Sequence, residues 1–310
     1  MMLYKYFSPD GTARFLSTMA LRLTPPDQFN DPFEMCPPID VVDVDEVTSF
    51  ESVKDGLINE LLKEKFLGVK FSKKWRQTLA SELLAQSDSE QTLRLYAMTP
   101  GESLSRVKML LPHMRQAIQL TLESAREEFP EFKLNFQNLV HSSLREALGA
   151  LCFSKNGKHP LMWAHYADEH KGAVIKFKTD GPCFNRGDYA EGIGKFVDVS
   201  YTESRPVLNA SSGKNVIMIL ALSKAIEWKY EEEMRFLLPL NLVDKVIEKK
   251  YHLININPSS VQSVILGCRA SDNFVDKITE AVRKNPDMSH VKLYKSEPCK
   301  KDYALNYIEF

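Results

Sequence analysis

Gly172-Ala173-Val174-Ile175-Lys176-Phe177-Lys178 is the stretch from which the fold is read. A glycine opens a short run of β-branched and aromatic residues, which predicts a strand at 173–178. Upstream, Leu151-Cys152-Phe153-Ser154 predicts a buried strand and Pro160 to Glu169 a short helix. Downstream, strands are predicted near 194–201, 234–240, 251–256, 261–267, 290–296 and 303–309, with helices at about 213–226 and 271–284. Strands outnumber helices, and no strict alternation of strand and helix appears. The expected class is therefore α+β: a mixed, mainly antiparallel sheet with flanking helices.

Working back toward residue 1, Leu3-Tyr4-Lys5-Tyr6-Phe7 predicts a first strand ending in the turn Ser8-Pro9-Asp10-Gly11. Thr12 is placed to cap a short helix carrying Phe15, Leu16 and Met19, followed by a strand at 21–24. Pro25 and Pro26 stop regular structure, and Asp27-Gln28-Phe29-Asn30-Asp31-Pro32-Phe33-Glu34 predicts a shaped turn, because Pro32 keeps Asp31 out of the helical region. Residues 45–148 read as a large helical insertion. Its clearest part begins at Ser103, with Leu104, Val107, Leu111, Met114, Ile118, Leu122 and Ala125 on one face. Further helices are predicted near 46–66, 73–86 and 136–148. The division expected is a mixed α/β core of 1–44 and 149–310 around that insertion.

The chain has 310 residues, 44% of them hydrophobic and 26% charged, an ordinary globular balance that excludes disorder as the main state. A net charge of −1 gives no overall drive toward nucleic acid or membrane. The apolar runs, such as Val216 to Leu222, fall far short of the roughly 20 residues needed to span a bilayer. Met1 to Phe7 lacks the pattern of a signal peptide, and Cys36, Cys152, Cys183, Cys268 and Cys299 are scattered without metal-knuckle or redox spacing. The expectation is a cytoplasmic protein with reduced thiols, no membrane partner and no metal. Oligomeric state is not legible.

Three polar clusters carry the chemistry. The first joins Tyr4-Lys5-Tyr6 to Asn30-Asp31-Pro32-Phe33-Glu34. The second is Met162-Trp163-Ala164-His165-Tyr166-Ala167-Asp168-Glu169-His170-Lys171-Gly172. Here Trp163, Tyr166 and Ala167 share a helix face, His165 lies beside it, and His170 is placed as a helix C-terminal cap. Two histidines five apart do not make a helical metal pair. The third is Trp228-Lys229-Tyr230-Glu231-Glu232-Glu233-Met234-Arg235, in which Glu231, Glu233 and Arg235 fall on one side of an extended segment. Each cluster also has a plain structural reading: a buried histidine, an aromatic seam, a salt-bridged strand start. No Gly-x-Gly-x-x-Gly, Walker A, Gly-x-Ser-x-Gly or His-Glu-x-x-His pattern occurs, which removes the usual support for Rossmann, P-loop, α/β-hydrolase and zincin enzymes.

These motifs, together with Cys152-Phe153-Ser154 and Ile265-Leu266-Gly267, resemble an uncharacterised bacterial family of unknown function. A second resemblance is to ADP-ribosyltransferase-type domains, with Lys5 and Tyr6 on the first element, His165 and Tyr166 in the middle motif, and Glu231 or Glu233 as the late glutamate. That resemblance implies NAD as co-substrate. Glu233, Glu231, Tyr166 and His165 are then the catalytic candidates, and Lys5, Tyr6, Asn30, Asp31 and Trp163 the cofactor-binding ones. The target is a macromolecule, protein or nucleic acid, as for a toxin or phage-defence effector. The chain departs from that pattern in having no arginine or histidine on the first strand and a helical middle motif. A non-catalytic ligand- or partner-binding module and a nuclease using Asp31, Glu34 and Glu231 around Mg²⁺ are the competing readings.

Overall fold

The structure, a computed structural model, describes residues 1–35, 148–186, 192–206, 219, 221–310 and a few positions between 59 and 142. The helices expected across 46–148 and the helix near 213–220 lie largely outside the described residues. The chain divides into two compact units. One comprises Met1–Asn30, Leu148–Ser204 and Ala221–Phe310; the other comprises Asp31–Ala147 and Arg205–Leu220.

The first unit is α+β and is built on an eight-stranded sheet. Its strands are β1 (Met2–Phe7), β3 (Leu148–Ser154), β4 (Ala173–Lys178), β5 (Phe196–Asp198), β8 (Glu233–Pro239), β11 (Val261–Leu266), β12 (Lys292–Pro298) and β13 (Leu305–Glu309), in the order β13-β12-β11-β4-β1-β3-β8-β5. Every neighbouring pair is antiparallel except β11 and β12, which run parallel and are joined through α3 (Asp272–Arg283). That is the helical crossover a parallel pair requires. A three-stranded antiparallel sheet, in the order β2 (Ala20–Leu23), β10 (Tyr251–Asn255), β9 (Lys245–Ile247), and a parallel pair of β6 (Ser200–Thr202) with β7 (Ser223–Ala225) complete the unit. The strand expected over 194–201 is thus two short strands, and the helix expected to end near 226 gives way to β7.

Alternation along each strand sorts the side chains onto two faces. Leu3, Ile175, Phe177, Phe153 and Phe236 enter a core with Phe15 and Leu16 of α1 (Pro9–Thr18) and Phe274 and Ile278 of α3. Its rings meet edge to face, Phe153 with Phe177 at 5.4 Å and with Phe184 at 5.8 Å. The opposite face carries Tyr6, Val174 and Ile265 against Met162, Trp163 and Ala167 of the segment headed by α2 (Pro160–Tyr166).

Two local expectations are corrected. Ser8-Pro9-Asp10-Gly11 is the start of α1 rather than a turn ahead of it: the Ser8 hydroxyl accepts from the Gly11 N–H, and Pro9 sits in the first helical turn, where its missing N–H costs nothing. His170 is not a charged cap. The helix ends at Ala167, and Asp168, Glu169 and His170 follow with φ of 47°, 53° and 70°. Three left-handed residues in succession cost about 1–2 kcal/mol each. They are held by His170 N–H to the Trp163 carbonyl and Gly172 N–H to the Ala167 carbonyl, 3.3 and 2.8 Å. Burial and the Arg269 charge lower the His170 pKa, which favours a neutral ring, and that ring stacks on Trp163.

This turn is pressed onto the sheet. A Cβ added at Gly267 would lie 1.9 Å from the His170 carbonyl oxygen, and one at Gly172 would lie 2.0 Å from that of Phe7. Gly267→Ala is therefore expected to destabilise by about 3 kcal/mol in urea unfolding, because backbone rather than a movable side chain blocks the methyl. Gly181→Ala, whose Cβ would find nothing nearer than 3.5 Å, should stay within about 0.5 kcal/mol of wild type.

Candidate functional site

The site is assembled at one end of β8. The 3-10 segment Ile226–Glu231 delivers Glu231, Glu232 turns left-handed at φ 45°, and Glu233 begins the strand. Glu231 and Glu233 therefore do not share one extended segment, as the sequence suggests. The reversal at Glu232 separates their backbones, and a lysine from β7 joins their side chains. Lys224 donates to Glu231 Oε2 and to Glu233 Oε2, the latter at 3.1 Å, and all three residues are buried.

Each carboxylate has a distinct second partner. Arg235, 0% exposed, clasps Glu233 with two bonds: Nε to Oε1 at 2.8 Å and a terminal nitrogen to Oε2 at 3.1 Å. Its other terminal nitrogen donates to the Ala221 carbonyl at 2.7 Å, and the Phe29 ring lies 5.1 Å from the guanidinium. Glu231 Oε1 instead accepts from the Tyr166 hydroxyl at 2.6 Å, and that hydroxyl accepts from the Asn30 carboxamide at 3.0 Å. Tyr201 accepts the Glu233 N–H at 2.8 Å.

These partners set opposite proton affinities. Burial raises the Glu231 carboxyl above the usual range, and Lys224 and Tyr166 only partly offset it. Burial acts on Glu233 in the same direction, but the Arg235 and Lys224 charges outweigh it and bring the carboxyl down to about 2. Burial pushes Tyr166 up, helped by the neighbouring Glu231 charge, and Tyr201 up to about 12. Carboxyl groups driven apart in this way are what an acid/base site needs, although structural ion pairs produce the same effect.

Beside Glu231 lies a group of half-buried and exposed rings. His159 stacks on Tyr230 with centroids 5.2 Å apart, Trp228 is 6.1 Å from Tyr230, and the exposed His165 lies 6.2–6.5 Å from Tyr166, Trp228 and Tyr230. Lys224 Nζ lies 5.1 Å from the Trp228 ring centre.

The predicted residues thus divide. Tyr166, Glu231, Glu233 and Asn30 fall within one hydrogen-bonded chain, and His165 lies at its aromatic edge. Tyr6 packs on the same sheet face, edge-on to Trp163 at 5.8 Å, with its hydroxyl donated to the Asn156 carbonyl. Trp163 is fully buried: Tyr6 meets it on one side, His170 stacks on it, and Nε1 donates to the Gly157 carbonyl at 3.1 Å. Its place is in the core, and a cofactor ring has no access to it. Lys5 points to the other sheet face, over Phe153 at 5.3 Å, and donates to the Cys152 carbonyl at 2.9 Å. Burial lowers its pKa. Asp31 belongs to the other unit, where its carboxylate accepts the Phe33 N–H.

Lys224 and Tyr201 belong to no motif singled out in the sequence. The one available signal is a lysine inside the apolar run Leu220-Ala221-Leu222-Ser223-Lys224-Ala225-Ile226. Trp228 and Tyr230 sit within the glutamate motif and are better placed than Trp163 to meet a planar ligand.

Among the described residues no group of three or more His, Cys, Asp or Glu is arranged to hold a metal, and no helix is long and apolar enough to cross a membrane. No curated protein and no solved structure matches the chain. A family described as a protein of unknown function (DUF2971) matches residues 162–236, which run from Met162 within α2 to Phe236 of β8 and so enclose all of the hydrogen-bonded chain but Asn30.

Proposed function

We propose that this chain is a group-transfer enzyme of the ADP-ribosyltransferase type, using NAD as co-substrate and passing ADP-ribose to a macromolecular target. The observation that supports the reading is Glu231: a buried carboxylate with raised proton affinity, oriented by Tyr166 and Lys224 and bordered by half-exposed rings. In the reaction the bond from the ribose anomeric carbon to nicotinamide breaks, and nicotinamide leaves with the electron pair. A target nucleophile then bonds to that carbon and gives up a proton. Glu231 holds a ribose hydroxyl, steadies the positive charge that develops on the sugar, and is placed to take the proton. Trp228, Tyr230 and His165 offer flat surfaces for a heteroaromatic ring, and Asn30 fixes the Tyr166 hydroxyl. Glu233, Arg235 and Lys224 position Glu231.

The test is incubation of the purified protein with NAD labelled in its adenylate half and a bacterial extract, followed by counting label in protein, DNA and RNA. Wild type should transfer label. Tyr166→Phe, which removes the hydroxyl that orients Glu231, should transfer about tenfold less while losing only about 1 kcal/mol of stability. Absence of both transfer and NAD binding would move the assignment to a non-catalytic binding module. One observation favours that second reading: the oxygens of both glutamates are already satisfied within the protein.

A further inference from the structure

The sheet carries a second feature that the carboxylate site does not use. Reading straight across the strands through the pairing register, Tyr4 of β1 stands opposite Lys176 of β4, Lys176 opposite Ser263 of β11, and Ser263 opposite Lys292 of β12. These four side chains lie on the face that also bears Tyr6 and Val174. With strands about 4.8 Å apart, the row is roughly 14 Å long, and its two lysines stand roughly 10 Å from each other.

Aromatic rings flank the row. Tyr294 lies two residues beyond Lys292 on the same face, and Tyr307 of β13 pairs with Ser296, diagonal to Tyr294. Although three strands separate β13 from β1, the Tyr307 hydroxyl donates to the Gly157 carbonyl, and Gly157 is itself packed on the Tyr4 ring. The tyrosines of opposite strands therefore close on one another around this loop. Lys176 Nζ sits 5.8 Å from the Tyr4 ring centre and Lys158 Nζ 5.1 Å from that of Tyr307. Neither lysine pairs with a carboxylate among the described residues, whereas Lys292 is paired with Glu309. Tyr4, Tyr294 and Tyr307 are half-buried, packed at the edge of the cluster that holds Tyr6, Trp163 and Val174.

We propose that this tyrosine–lysine face binds a single-stranded polynucleotide. Unpaired bases stack on accessible aromatic edges and faces without regard to sequence, and ammonium groups beside those rings meet the phosphate backbone. Lys158 and Lys176, each over a tyrosine ring and neither paired with a carboxylate among the described residues, supply positive charge complementary to such a strand at this face. The proposal is independent of the NAD reading, because none of these residues belongs to the Glu231 site.

The experiment is fluorescence anisotropy of the full chain with fluorescein-labelled dT12 and rU12, at 50 and 200 mM salt. Binding of either strand is expected, weakening as salt rises; a preference between them identifies the sugar. Lys158→Ala and Lys176→Gln should each weaken binding severalfold and flatten the salt dependence. Tyr294→Ala should weaken it about tenfold. Lys284→Ala, at the end of α3, should leave it unchanged. Circular dichroism melts check that each variant is folded. The proposal is overturned if neither oligonucleotide binds, or if the lysine and tyrosine variants bind as wild type does. It is likewise overturned if duplex DNA or inorganic polyphosphate binds as tightly as dT12, since neither offers bases that can stack.

Discussion

Arg235→Met is expected to lower the free energy of unfolding by about 3–5 kcal/mol, measured by urea denaturation. Arg235 has no solvent exposure, and its guanidinium satisfies both Glu233 oxygens and the Ala221 carbonyl. Without it, Glu233 remains a buried charge bonded to Lys224, a cation that it shares with Glu231. Arg235→Lys keeps the charge but loses the planar fork, and should still cost a substantial part of this. Arg235→Met combined with Glu233→Leu should be more stable than Arg235→Met alone, because the unpaired charge goes with its partner. A loss below about 1 kcal/mol for the single variant would mean that the clasp is not formed.

The same clasp fixes a pH dependence. Glu233 titrates at about 2 in the folded protein, below the usual 4.5. A carboxyl with a depressed folded-state pKa stabilises fully above the unfolded value. That stabilisation is lost as pH falls from about 4.5 through about 2. Glu231 is raised and works in the opposite sense, since protonating it in the folded state relieves a buried charge. Acid should therefore destabilise the wild type mainly below pH 4.5, and Arg235→Met should flatten that part of the profile.

If the proposed transfer holds, Glu231→Gln is expected to reduce it by about 10²- to 10³-fold and to cost about 1–3 kcal/mol of stability, because one amide oxygen cannot accept from both Tyr166 and Lys224. Burial raises the Glu231 carboxyl, so losing its charge costs less than at Glu233, and the Gln carbonyl can still accept from Tyr166 while its amide nitrogen faces Lys224. Glu233→Gln should behave differently, losing several kcal/mol because Arg235 and Lys224 are deprived of their shared anion. Label transfer and unfolding measured side by side on the two variants separate the roles. A well-folded, inactive Glu233→Gln with a fully active Glu231→Gln would exchange them.

Strands such as 173–178 and 261–266 were legible because buried strands announce themselves as short runs of branched and aromatic residues between glycine or polar punctuation. Ser8-Pro9-Asp10-Gly11 was ambiguous because the same residues suit a turn and a helix start. The burial of Thr12, Phe15 and Leu16 on one face of α1 decides for the helix, and no local preference does.

The one-sided reading of Glu231, Glu233 and Arg235 failed at Glu232, whose left-handed turn nothing in three consecutive glutamates foretells. Lys224 was hidden because a single lysine in an apolar run looks like the wet edge of an amphipathic helix. It is instead a buried strand residue seven positions from Glu231. Trp163 and Trp228 occur in equally aromatic surroundings, and only tertiary packing decides which ring is enclosed and which stays open.

The position of β1 has a consequence for how the chain is made. This strand ends at Phe7, yet its two neighbours in the sheet begin at Leu148 and Ala173. At roughly 5–20 residues per second, a ribosome takes on the order of 10 s or more to deliver either of them. Throughout that interval a nascent strand with two bare edges waits for partners, which is the condition under which unpaired strands associate with one another. Closing so large a loop is also slow once synthesis is complete. Yield in a cell should therefore depend on chaperones that shield residues 2–7, and a fragment begun after β1 would lack the strand that joins the two halves of its sheet.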